Sequence, residues 1–165
     1  MLKIIITGPE SSGKTTLCKA LSKHFNLPFS NEYAREYLDE LSRDYNQDDL
    51  LNIAKGQLQA ENGIQLLDTD LITLKIWSEY KYGSCDKWIL NQVEKQKSEK
   101  RFYLLCKPDI NWEADPQREN PNDREELFEI YKKETEIFGH DYFVVEGENR
   151  TENSISKISS LIPII

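Results

Sequence analysis

Cysteine, histidine and long apolar runs are scarce in this chain of 165 residues, and each scarcity removes a class of protein. The three cysteines, Cys18, Cys85 and Cys106, lie far apart and form no CxxC pair. They outline neither a disulfide framework nor a zinc site, and a reducing, cytoplasmic setting fits them best. His24 and His140, the only two histidines, have no metal-ligand spacing. No segment approaches the roughly 20 apolar residues that cross a bilayer. The amino-terminal run lacks the longer apolar core of a signal peptide, and the closing SSLIPII reads as a packed terminal element rather than an anchor. Basic residues are outnumbered 21 to 29, and the resulting formal charge of −8 argues against nucleic acid and anionic membranes as partners.

An apolar fraction of 38% is low, yet eight Tyr, six Phe and three Trp supply large groups to bury. A chain of this length is most simply one domain, residues 1–165. Five short apolar stretches read as strands: Lys3–Thr7, Pro28–Ser30, Gln65–Thr69, Phe102–Cys106 and Tyr142–Glu146. Most lack strict alternation, as strands buried on both faces of a parallel sheet do. Between them, helical periodicity is visible over Lys14–Phe25, Asp48–Glu61 and Asp123–Phe138, the last with Asn122 as N-cap and Gly139 as stop. The alternation predicts an α/β three-layer sandwich around a mostly parallel five-stranded sheet. Its chemistry would lie beyond the carboxyl ends of the strands.

The first strand end carries the strongest motif. Gly8-Pro-Glu10-Ser11-Ser12-Gly13-Lys14-Thr15 matches G-x-x-x-x-G-K-[ST], with a strand before it and a helix after it. The glycines let successive N–H groups curl toward phosphate oxygens, and the helix adds its positive end. Lys14 follows the terminal phosphates, Thr15 supplies a hydroxyl to Mg²⁺, and Thr16 opens the helix beside them. The expected ligand is a nucleotide, ATP with Mg²⁺.

The other strand ends supply polar groups of the right type. After the third strand stand Asp68 and Asp70, which we assign to the metal side and to the substrate side or a base, respectively; Asp70 as a plain N-cap is the competing reading. After the second, Glu32 can take a proton from a hydroxyl, with Arg35 three residues on. After the fourth, the irregular segment from Lys107 to Arg124 reads as a lid. In it Arg118 and Arg124 would meet transferring charge, Trp112 would cover a ring, and Asp109 or Asp115 would hold ribose hydroxyls. After the fifth, Glu146 to Arg150 would border the base of the nucleotide.

Taken together, GPESSGKTTL, NEYAREYL, DTDLITLKIW and KPDINWEADPQREN…R resemble, in order and spacing, the ribosylnicotinamide kinase domain of NadR-type proteins. The resemblance runs from residue 2 to about 160. It implies a nucleoside-kinase-like P-loop fold with a lid. It also implies transfer of phosphate from ATP to the 5′-hydroxyl of nicotinamide riboside in NAD salvage. By motif, Lys14 and Thr15 serve donor and metal, Asp68 and Asp70 the acidic strand end, Glu32 and Arg35 the second-strand motif, and Trp112, Arg118 and Arg124 the lid. NadR-type proteins can carry further domains, for which 165 residues leave no room, so the resemblance points to a stand-alone kinase-like domain. The DPQR at 115–118 departs from the DG-x-R form of the family. A kinase for another nucleoside or nucleotide, and a slow ATP-hydrolysing switch acting on a partner protein, stay open as alternatives.

Overall fold

The computed structural model describes residues 1–162. Five strands form one sheet: β1 (Lys3–Thr7), β2 (Phe29–Ser30), β3 (Leu66–Asp68), β4 (Arg101–Cys106) and β5 (Asp141–Val145). Every pairing is parallel and the spatial order is β2-β3-β1-β4-β5. The predicted strands are all present within a residue or two, and the sheet is entirely rather than mostly parallel.

Seven helices among the described residues cover it: α1 (Lys14–Phe25), α2 (Tyr33–Glu40), α3 (Gln47–Ala60), α4 (Leu71–Tyr82), α5 (Lys87–Gln96), α6 (Arg124–Ile137) and α7 (Arg150–Ser159). The two-residue period of each strand splits the core in two. Ile4, Ile6, Leu66, Phe102 and Leu104 face α1 and α7, joining Leu17, Leu21 and Ile158. Ile5, Leu67, Tyr103 and Leu105 face the other way, toward Ile53, Leu71, Leu74 and Phe128 of α3, α4 and α6. This is the expected three-layer sandwich. Of the terminal SSLIPII, Leu161 and Ile162 pack on the first of these cores, and residues 163–165 lie outside the described residues.

Helix ends follow local chemistry. Asn46 and Asp49 form a reciprocal capping box at the start of α3. Gly139 closes α6 with φ of +73°, as predicted, but the N-cap is Asp123 rather than Asn122, and no side chain caps it. Gly8, at φ +141°, is required by proximity: a Cβ there would stand 2.6 Å from the carbonyl oxygen of Cys106, so β1 turns into its loop against the end of β4.

Candidate active site

Strand order brings the informative ends together, because β3 and β4 flank β1. The loop from Gly8 to Gly13 curls at the tip of β1, with Gly13 in the left-handed region as N-cap of α1. Lys14 Nζ folds back across the loop and donates to the carbonyls of Gly8 (3.0 Å) and Pro9 (2.9 Å). Ser12 Oγ donates to Pro9 O at 2.6 Å, so this hydroxyl braces the loop from within. Glu10, Ser11, Ser12, Gly13, Lys14, Thr15 and Thr16 all border one cavity of about 340 Å³.

Thr15 Oγ1 donates to Asp68 Oδ2 at 2.8 Å, which ties the first turn of α1 to the end of β3. Asp68 is 1% exposed, and its second oxygen, Oδ1, is buried with no hydrogen-bond partner. Burial, with the Glu32 carboxylate nearby, pushes the Asp68 carboxyl up to about 6, opposed by the Thr15 hydroxyl and Lys14. A hydroxyl and a carboxylate with one unpartnered buried oxygen, beside a phosphate loop, are what Mg²⁺ would accept when phosphates complete its shell. No cluster of three or more His, Cys, Asp or Glu suited to hold a metal by itself occurs among the described residues.

Asp70 departs from expectation. In a continuing strand it would share the face of Asp68, but Thr69 adopts φ of +67°, rare for a β-branched residue, and turns the chain over. Asp70 then caps α4 through Ile72 N (3.1 Å). It also accepts Arg101 Nη1 (3.1 Å) and the Tyr103 hydroxyl (2.5 Å) on the opposite face of the sheet. It is 0% exposed and borders none of the cavities described here. The substrate and base roles assigned to it are corrected: it is the N-cap and one end of a buried ion-pair chain that continues through Arg101 to Glu61 and Lys3.

Glu32 is the N-cap of α2, placed there by a turn after β2, and Arg35 lies one turn on. Both line the cavity that holds Lys14 and Thr15, together with Arg118. Arg35 Nη1 binds Asp115 Oδ2 at 2.8 Å, so the expected ribose ligand is tied to α2; the Gln117 backbone amide, and after it Arg35, holds its carboxyl below the usual range. The departure at DPQR has a local account. Arg118 N closes on Asp115 O (3.0 Å), Pro116 takes the second position of the turn, and Asp115 Oδ1 accepts from Gln117 N (2.9 Å).

The 107–123 segment does lie over the loop. Glu113 N donates to Ser11 Oγ, and Glu119 N and Asn120 N donate to the Glu10 carboxylate. Arg118 reaches the cavity, whereas Arg124 Nη1 and Nη2 are held by the carbonyls of Ser11 and Ile110 with Trp112 stacked nearby. Trp112 therefore covers a guanidinium. Arg150 is likewise turned from the expected base contact: it donates to Ser12 O, Lys107 O and Val145 O, fixing the loop from behind. Trp77 of α4 was not singled out in the sequence. It borders the loop cavity and a second one of about 350 Å³ under the lid, which also contains Tyr45, Tyr80 and Leu127. Its place at the end of the mainly apolar first half of α4, LITLKIW, disguises it as packing.

Fold and site define the class: a P-loop kinase fold with a lid, the parallel sheet delivering a nucleotide-phosphate loop and an acidic strand end to one cavity. A family model described as an AAA domain matches residues 3–152, and the chain belongs to that family. It is 25% identical over 123 residues to the trifunctional NAD biosynthesis/regulator protein NadR of Salmonella typhimurium, covering 68% of this chain and 30% of that protein. Solved NadR structures superpose on 99% of the chain. The complex with NR gives a TM-score of 0.78 at 26% identity and the complex with NAD and AMP-PNP 0.75 at 25%, each over 50% of the NadR chain. Deoxyadenosine kinase from M. mycoides with bound dCTP shares the fold at a TM-score of 0.63 and 15% identity, covering 96% of this chain and all of that one. The chain thus spans about a third of the curated relative's length and half of the solved NadR chain.

Proposed function

We propose that this protein is an ATP- and Mg²⁺-dependent kinase that phosphorylates the 5′-hydroxyl of a nucleoside, nicotinamide riboside in particular, within NAD salvage. One observation carries the reading: the donor loop cavity does not end at the phosphates. Through Glu10, Leu38, Trp77 and Gln117 it adjoins a second, aromatic-lined cavity beneath the lid, a natural seat for a planar base. A slow hydrolytic switch has no use for a second cavity. The relatives add the acceptor, since a NadR protein is solved with NR and another complex holds AMP-PNP.

Transfer then proceeds in line. The acceptor oxygen forms a bond to the γ-phosphorus, the bond to the bridging oxygen breaks, and ADP leaves. Glu32 is placed to take the hydroxyl proton. Lys14, released from the Gly8 and Pro9 carbonyls, and Arg118 from the lid face the charge that spreads over the transferring oxygens. Thr15 and Asp68 are the residues that would hold Mg²⁺, whose chemistry is to neutralise charge on the donor phosphates. Arg124 and Arg150 hold the loop backbone and act by position. The test is a panel of nucleosides with ATP and Mg²⁺, scored for ADP and for phosphorylated product. Phosphorylated nicotinamide riboside is expected, and its loss in Lys14→Ala with an unchanged circular-dichroism spectrum. ADP release with no phosphorylated nucleoside would return weight to the switch.

A further inference from the structure

A carboxylate inside a phosphate loop repels the ligand the loop exists to hold, so Glu10 calls for an explanation. Its side chain is taken up by the lid instead. Its two oxygens accept Glu119 N at 3.3 and 3.0 Å and Asn120 N at 3.0 Å, a forked pair of charge-assisted bonds to lid backbone more than 100 residues away in sequence. The neighbouring residue repeats the arrangement on the other side. Ser11 Oγ accepts Glu113 N at 2.9 Å, and Ser11 O accepts Arg124 Nη1 at 3.0 Å, with Ser11 itself in the left-handed region at φ +55°. Two successive loop residues therefore grip the lid at residue 113 and at residues 119–120, and Arg118 sits between the two grips. Beyond the second grip, the Glu119 carboxylate is pinned by the Tyr45 hydroxyl (2.7 Å) and Lys81 Nζ (2.9 Å). Glu10 also borders both cavities, so either ligand meets the latch.

We infer that the Glu10 carboxylate is a positioning residue, the latch that closes the lid on the donor loop and sets Arg118 at the transferring phosphate. The inference deepens the kinase reading and rests on it for its catalytic consequence, while the latch itself does not. Burial raises the Glu10 carboxyl above its ordinary range, and the two lid amides and Lys14 offset that cost. An open lid would take those amides away.

Two variants and two readouts test this. In Glu10→Ala, amide hydrogen exchange at Glu119 and Asn120 should accelerate about tenfold or more, the weight of two charge-assisted bonds, and in Glu10→Gln by less, because one acceptor oxygen remains. With ATP and the accepted nucleoside, kcat should fall about tenfold while KM for ATP stays within about twofold, and ADP formed without phosphorylated product should increase. Glu10→Gln should recover part of the loss. Unchanged exchange at both amides would overturn the latch whatever the reaction proves to be. Unchanged kcat with raised KM for ATP would instead put Glu10 in the donor cradle and overturn its positioning role. Should the wild-type protein phosphorylate no nucleoside, the kinase reading fails alone, and the exchange experiment still decides the latch.

Discussion

Asp68 and Asp70 show how one backbone angle divides the labour of two like residues. The left-handed Thr69 leaves Asp68 at the loop and sends Asp70 through the sheet to Arg101 and Tyr103. A buried carboxylate between a guanidinium and a phenol is a structural commitment. Removing its charge leaves Arg101, 0% exposed at its side chain, with Glu61 and Glu99 as its remaining carboxylate partners and one guanidinium nitrogen short of its own. Asp70→Asn should therefore lower unfolding free energy by about 1–3 kcal/mol in urea titration, as leaving a buried group short of one partner does. Arg101→Met with Asp70→Asn should cost more, since buried Glu61 then keeps only Lys3 as its partner. If instead Asp70→Asn leaves stability alone and abolishes phosphoryl transfer, Asp70 meets the acceptor after all.

At the scale of elements, α3 depends on its first turn. Asn46 accepts from Asp49 N, and Asp49 accepts from Asn46 N, Tyr37 and Arg43. The Arg43 guanidinium, with these bonds, holds the Asp49 carboxyl well below the usual range against the cost of burial. A carboxyl lowered on folding adds stability that is complete above the unfolded value of about 3.9 and is lost as pH falls toward the folded one. Asn46→Ala should cost about 1 kcal/mol at neutral pH. The difference in Tm between wild type and Asp49→Asn should shrink as melts are taken from pH 7 down to pH 3, and a constant gap would contradict the linkage. Such caps were hidden in the sequence; what was legible there follows a physical pattern. Lys3–Thr7 and Lys14–Phe25 stand where predicted because a phosphate loop fixes the strand before it and the helix after it. Helix α4 was not delimited, since Leu71, Ile72, Leu74 and Ile76 are buried nearly all round and leave no stripe to read. Trp77 disappeared with it. The long-range partners of Glu10, Arg124 and Arg150 had no local signal at all, so residue types were readable at those positions but destinations were not.

Two of the molecule's cavities lie side by side under one lid, and that geometry has a thermodynamic consequence. Gln117, Glu10, Leu38 and Trp77 border both spaces, and the lid residue Gln117 also reaches α2 through Arg35 O and Asp39 Oδ1. A ligand that orders the lid from one side thus lowers the cost of ordering it for the other, and coupling of this kind is reciprocal. A non-hydrolysable ATP analogue with Mg²⁺ should tighten nicotinamide riboside binding by about tenfold, within the usual range of 5–150-fold, and the nucleoside should tighten the analogue by the same factor. Calorimetry in both orders of addition checks this. Glu10→Ala, which frees the lid, should weaken each ligand measured alone and raise the coupling between them, since each then bears more of the ordering cost. Trp77→Ala should weaken the nucleoside directly, by about 1–3 kcal/mol if a base stacks on it. Equal affinities in the presence and absence of the second ligand would mean that the lid is already fixed by its ties to Glu10, Arg35 and Lys81, and that the two cavities are neighbours without being partners.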